Sequence, residues 1–325
     1  MREIDTLAIM GGGMKLVTAI GSLCVLEEEG ILNNIKKYAG SSAGAIIVTL
    51  LNIGLTPLQI ENTVFSQGST LVKDSFYKLP FNLLFKYGLY NGNNMVKYIE
   101  TLFIQKDISP NITFGELYEK TQKILVLTGT SLNAMDTFYF NYHTASNMKV
   151  IDALRISISI PLYFTCVEHI INGVAHIMCD GGVLQNFPIY YFDIVDNTGK
   201  YILNSNDLIK QKNIIKDLSV SSKTLGIMYL DSDEIKNVDD FYQGFNIINN
   251  ISDYFIALLN TLLNKIAQDN FTNPITGAKE NFFENIITIT LPFNVSAVNF
   301  DLEKEKKDLL INVGRDAANK YFSLV

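Results

Sequence analysis

Residues 38–51 read Tyr38-Ala39-Gly40-Ser41-Ser42-Ala43-Gly44-Ala45-Ile46-Ile47-Val48-Thr49-Leu50-Leu51. A strand-like run up to Ser41 turns at Ser42 and continues as an apolar helical stretch through Leu51. Gly40 to Gly44 is therefore a GxSxG pentapeptide between a strand and a helix. In that setting the serine occupies a sharp, strained turn, and the glycines remove side chains that would collide there. Ala43 and Gly44 let the helix lie close to the sheet. The letters alone are a weak signal, since roughly 0.1 chance occurrences are expected at ordinary Gly and Ser usage. A glycine-lined turn with a capping serine reads the same way.

The segment before it repeats the pattern. Thr6 to Met10 is a short apolar run, Gly11-Gly12-Gly13 breaks it, and Met14 to Glu29 is helix-like until Gly30. Two strand-turn-helix units in the first fifty residues favour an α/β sheet. Further on, Met95, Ile99, Leu102 and Phe103 give 93–105 helical spacing, and Thr113 with Glu116 fits a capping box. Residues 123–127, 137–142, 174–178, 222–230 and 286–290 read as strands, and 245–267 and 302–321 as helices. Residues 196–222 read as a polar surface excursion. No solenoid repeat, Pro/Gly linker or domain boundary is visible, so a single domain over 1–325 is expected.

The 325 residues are 48% hydrophobic and 18% charged, which excludes whole-chain disorder. Twenty-six basic against 33 acidic residues give a net charge of −7, arguing against a general nucleic-acid binder. Cys24, Cys166 and Cys179 form no CxxC pair and their odd number suits a reducing compartment. The start lacks a signal-peptide pattern, and the apolar stretch 43–55 is too short to span a bilayer. These features point to a soluble intracellular protein, compatible with attachment to a membrane surface.

A nucleophilic serine needs a base. His143, His169 and His176 are the only histidines; none precedes Ser42 and none follows Asp180. The chymotrypsin, subtilisin and α/β-hydrolase chain orders therefore fail for Ser42 with Asp180. Asp152 with His169 would make a triad only at an unsupported spacing. Asp180 ends an apolar strand before Gly181-Gly182, where α/β sheets present reactive side chains. Its ordinary pKa is low for this task, so desolvation would have to raise it and align it with Ser42. A simple Asp-Gly-Gly turn is the competing reading. Gly11, Gly12 and Gly13 suit an oxyanion hole, because glycine lets backbone N–H groups approach a substrate oxygen and the following helix adds its positive end. Neither a dinucleotide fingerprint nor a Walker A loop fits, since Leu16 stands where the first needs glycine. Lys15 either steers an anionic head group or is simply exposed. Cys179 with His176 would point to opposite faces of a strand, against a cysteine hydrolase.

Four blocks in order resemble the patatin-like phospholipase family: Gly11-Gly12-Gly13-Met14-Lys15, Gly40 to Gly44, Ala153 to Pro161, and Asp180-Gly181-Gly182-Val183-Leu184-Gln185-Asn186-Phe187-Pro188. Gly88-Leu89-Tyr90-Asn91-Gly92 is similar to a further family signature. The similarity runs over about 5–195, with 196–325 completing the domain without a landmark. The resemblance implies a three-layer α/β sandwich whose central, mainly parallel sheet is flanked by helices. It also implies a lipid acyl hydrolase with Ser42 as nucleophile, Asp180 as base and the Gly11–Gly13 amides as oxyanion hole, without metal or cofactor. The implied substrate is a phospholipid or other acyl lipid at a membrane surface; an activating protein is left open. The chain departs from the family at Leu16 and at Ile156, Ile158 and Ile160, which stand where smaller residues are usual and bear on the acyl pocket. A catalytically inactive lipid-binding or scaffolding protein of the same fold is the alternative.

Phe76, Tyr77, Leu79, Phe81, Leu83, Leu84, Phe85, Tyr87 and Leu89, interspersed with Lys73, Lys78 and Lys86, read either as an apolar lid that touches lipid or as a core-packing segment. Aromatic runs are usually buried, which favours the core reading.

Overall fold

The computed structural model describes residues 3–65, 68–72, 79–194, 221, 223–230, 254, 257–258, 285–293 and 295–324. Strand β1 (Thr6–Ile9) leads through the glycine loop into α1 (Val17–Glu28), and β2 (Lys37–Gly40) leads through Ser42 into α2 (Ala43–Asn52). Then come α3 (Pro57–Ile60), α4 (Leu79–Lys86), β3 (Gly88–Tyr90), α5 (Asn93–Gln105) and α6 (Phe114–Thr121). The chain continues with β4 (Ile124–Ser131), β5 (Asp136–Phe140), α7 (Val150–Ser157), β6 (Leu162–Phe164), β7 (Val167–Ile171), β8 (Val174–Asp180) and α8 (Tyr191–Ile194). It ends with β9 (Thr224–Leu230), β10 (Ile286–Thr290) and α9 (Lys304–Leu324).

The central sheet is parallel from β10 through β9, β1 and β2 to β4, and β5, β8 and β7 join it antiparallel. β9 and β10, beyond the recognisable blocks, thus complete the same sheet. The parallel strands are buried almost continuously, as in β1, where all four residues are buried. That is why they read as apolar runs without alternation. Helices flank the sheet; α1 packs on α9, where the buried Ser22 hydroxyl donates to the Gly314 carbonyl at 2.7 Å.

The register of β4 positions the site. Leu127 pairs with Gly40 of β2 and with Phe140 of β5, so β2 and β5 flank opposite edges of β4. Gly129 pairs with Phe138 of β5 and with Asp180 of β8. Hence β8 occupies the same edge as β2, running the other way, and the two strands meet with their carboxyl ends facing across Thr128. Residues 138 positions apart in the chain are delivered to one spot by this end-to-end meeting.

Local structure differs from expectation at a few points. The helix expected from Met14 begins with a 3-10 turn, Gly13–Leu16, whose free Met14 amide donates to the Ala297 carbonyl at 3.0 Å. The capping box at Thr113 and Glu116 forms as expected. Two short strands, β3 and β6, pair in a separate parallel sheet. The helix expected over 245–267 and the excursion at 196–222 lie almost wholly outside the described residues. In the aromatic segment the described part is α4 and the residues after it. Phe81, Leu84, Phe85 and Tyr87 are exposed, which corrects the core-packing reading for them. The residue before Gly88 takes a left-handed conformation, Tyr87 at φ 60°, and stops the helix there.

Candidate active site

Ser42 sits at φ 52° and ψ −127°, a conformation costly for any side chain, between the end of β2 and the first turn of α2. Close packing explains the flanking glycines. A Cβ on Gly44 would lie 2.4 Å from the Ile9 carbonyl oxygen, and one on Gly40 would lie 2.7 Å from the Gly44 carbonyl. Both residues let the helix start directly against the sheet. The strained turn is held from outside: the Ser42 N–H donates to Ser157 Oγ at 3.1 Å.

The Ser42 hydroxyl donates to Asp180 Oδ2 at 2.6 Å. Asp180 is 1% exposed, and its second oxygen accepts the Gly182 N–H at 2.7 Å. Burial pushes its carboxyl up to about 7, against the lowering effect of the bonds from Ser42 and Gly182. A carboxylate that takes up protons near neutrality is matched to accepting one from a hydroxyl. The main-chain N–H of Asp180 donates to the Ser159 carbonyl at 2.9 Å. The end of α7 and the residues just after it therefore brace both residues, Ser157 holding Ser42 and Ser159 holding Asp180. Arg155 locks that segment in turn, through Ser159 Oγ, the Asn91 carbonyl at 2.6 Å and the Thr165 carbonyl at 2.9 Å.

The glycine loop lies against this pair. A Cβ on Gly11 would stand 2.9 Å from the Ser42 Cβ, and Gly13, at φ 54°, has the Ala297 carbonyl oxygen where a Cβ would be, 2.0 Å away. The three amides are not equivalent. Gly11 N–H donates to the Asn186 carbonyl at 2.9 Å, and Asn186 Nδ2 donates back to the Gly11 carbonyl at 3.1 Å. This corrects the expectation for Gly11, whose donor is engaged in holding the loop to the Asp180 turn. The amides of Gly12 and Gly13 have no main-chain acceptor among the described residues.

Ser42 opens into a cleft with about 540 Å³ of empty space, its mouth included, walled by apolar side chains such as Leu71, Met95, Phe164 and Phe300. Leu16, Ile158 and Ile160 line it too. Ile156 instead packs beneath β4, where its Cγ2 would lie 2.7 Å from a Cβ on Gly129. Three of the four departures from the family pattern therefore shape this cleft. Ala297 and Phe300 come from a region without any sequence landmark, and Ser157, Ser159 and Asn186 stand in recognisable blocks whose sequence does not signal their bracing roles.

The other candidates lie apart. His176 Nδ1 pairs with Ser131 Oγ at 2.8 Å, His169 faces His176 across β7 and β8, and His143 is exposed beside Tyr142. Burial holds His169 below its ordinary range, Asp152 acting the opposite way. Burial, then Asp180 and Cys166, push the Cys179 thiol far up, so it stays protonated. Among the described residues no group of three His, Cys, Asp or Glu side chains is placed to hold a metal ion. No helix among them is long and apolar enough to cross a membrane.

Comparison with known proteins gives a family. The profile of the Patatin family, described as patatin-like phospholipase, matches residues 7–193, more than half of the chain. The chain belongs to the patatin-like phospholipase family. At 30% identity over 269 residues, the protein is similar to the probable lipid hydrolase 463L of Invertebrate iridescent virus 6, covering 82% of this chain and 85% of that one. It is similar also to protein R571 of Acanthamoeba polyphaga mimivirus, 29% identical over 314 residues, covering 96% of this chain and 91% of the relative. The crystal structure of VipD from Legionella pneumophila superposes at a TM-score of 0.54 with 14% identity, covering 99% of this chain and 67% of that one, a likeness of fold. At the level of its family this patatin-like protein is a lipid hydrolase, of the esterase and lipase kind.

Proposed function

We propose that the protein is a phospholipase of the A type, cleaving fatty-acyl esters through an acyl-serine intermediate. The observation that carries this reading is the 2.6 Å bond from Ser42 Oγ to Asp180 Oδ2, with Ser42 lining an apolar cleft. Asp180 accepts the Ser42 proton as Oγ attacks the ester carbonyl. The Gly12 and Gly13 amides receive the charge that develops on the carbonyl oxygen, helped by the positive end of the helix that follows. The alcohol part of the lipid leaves with the proton held by Asp180. Water then attacks the acyl-serine, giving its proton to Asp180, which returns it to Ser42 Oγ as the acyl–oxygen bond breaks and the fatty acid departs. The apolar cleft receives the acyl chain, with Ile158 and Ile160 beside Ser42 limiting its width there.

Residues 1–325 act as one domain in this reading, because β9, β10 and the Ala297–Phe300 segment contribute to the sheet and the cleft. The protein works inside the cell on lipid presented at a membrane surface. Ser42→Ala and Asp180→Asn should each abolish hydrolysis of a fluorogenic phospholipid while circular dichroism stays native. Turnover retained in either variant contradicts the dyad. A protein that only binds lipid would hold a fluorescent fatty acid in the cleft and turn over no ester in the wild type.

A further inference from the structure

Helix α4 has its polarity reversed. Asn82 is buried, 3% exposed, with its Nδ2 donating to the Leu89 carbonyl at 3.1 Å, while Phe81, Leu84 and Phe85 are 56%, 71% and 67% exposed. The three stand at i, i+3 and i+4, one face of a helix, and the rings of Phe81 and Phe85 lie 4.9 Å apart. An ordinary surface helix buries such a face. Here the polar side chain anchors the helix and the apolar side faces solvent, the arrangement of a surface awaiting an apolar partner.

From this face we propose that α4 is the element that inserts into a lipid bilayer and brings the cleft mouth to the membrane. The proposal rests on the lipid acyl hydrolase reading for its choice of occupant. Two further observations favour a bilayer. First, α4 is continuous with the cleft: β3 follows it and pairs with β6, Tyr90 of β3 packs on Tyr163 at 5.1 Å, Tyr163 stacks on Phe300 at 6.3 Å, and Phe300 with Phe164 walls the cleft. The Lys86 carbonyl at the end of α4 accepts the Cys166 N–H at 3.1 Å, so helix and cleft wall are tied together. Second, α4 carries Lys86 in its last turn and no acidic residue, in a chain of net charge −7. Apolar side chains beside lysines suit the boundary between acyl chains and anionic head groups.

The chain contains no tryptophan, so Leu84→Trp installs a single reporter on the exposed face. Its emission should shift to the blue and be quenched by brominated lipid on adding phosphatidylcholine/phosphatidylglycerol vesicles. In parallel, the double variant Leu84→Asp, Phe85→Asp should sediment with those vesicles at least tenfold less than wild type. It should still hydrolyse a soluble short-chain ester at the wild-type rate, since neither residue lines the cleft. Unshifted emission with vesicle-bound protein, or equal sedimentation of the double variant, overturns the proposal. So does a wild type that hydrolyses the soluble ester yet ignores vesicles. A wild type that self-associates in equilibrium sedimentation, with a monomeric double variant and no vesicle binding, assigns α4 to a second copy of the chain instead. If vesicle binding depends on α4 but neither ester is hydrolysed by any form, the hydrolase reading fails and α4 remains the docking element.

Discussion

Replacing Asp180 with asparagine should abolish turnover while making the fold more stable, by an amount that depends on pH. The carboxyl is buried and its pKa rises from 3.8 to about 7. A carboxyl whose folded-state pKa is raised supports folding fully only below the unfolded value, and that contribution is lost as pH rises through the folded one. The two values differ by about 3 pH units, each worth about 1.4 kcal/mol, so ionised Asp180 withholds on the order of 4 kcal/mol from the native state above neutrality. Asparagine keeps the shape: its Oδ1 accepts the Gly182 N–H and its Nδ2 donates to Ser42 Oγ. Thermal unfolding at pH 8 should place the variant roughly 8 °C above wild type, taking about 2 °C per kcal/mol for a chain of this size. The two curves should converge near pH 4. A variant no more stable than wild type at pH 8, or an offset that ignores pH, would refute the burial argument for Asp180.

Three other outcomes follow from the same geometry. If ionised Asp180 is the base, log kcat/KM should rise with unit slope below about pH 7 and level off above it; a flat profile down to pH 5 contradicts that role. Asn186→Ala removes the amide that holds the Gly11 carbonyl, so kcat should fall by roughly tenfold to a hundredfold with KM little changed, as the Gly12 and Gly13 donors lose their aim; steady-state kinetics on a soluble ester reads the split, and a pure KM effect counts against it. Ser157→Ala strands the buried Ser42 N–H and should cost about 1–3 kcal/mol in urea unfolding, whereas an unchanged midpoint would mean that the elbow does not need this acceptor.

The parts of the site that are local in the chain were legible in the sequence. The glycine loop, the elbow at Ser42 and the strand ending at Asp180 each carry their signal within a few residues, and so did the α/β class. The end-to-end meeting of β2 and β8 was not legible, because it depends on a register set by β4, with nothing local to encode it. The same reason hid the roles of Ser157 and Asn186, each defined by a partner more than a hundred residues away, and that of Ser159, whose carbonyl meets Asp180 only once β8 is in place. Strands β3 and β6 have three residues each, too short for any periodicity to register. The aromatic content of α4 suggested a buried segment, and only its packing revealed that the polar Asn82 is what the helix buries. Ala297, which backs the glycine loop, and Phe300, which walls the cleft, were out of reach because they come from a stretch with no motif.

The most direct test of the central claim is covalent labelling with a fluorophosphonate, followed by peptide mass spectrometry. One adduct on Ser42 is predicted for the wild type, none for Ser42→Ala, and labelling slowed by at least a hundredfold for Asp180→Asn. An adduct on another residue, no adduct at all, or an Asp180→Asn variant that reacts as fast as wild type would contradict it.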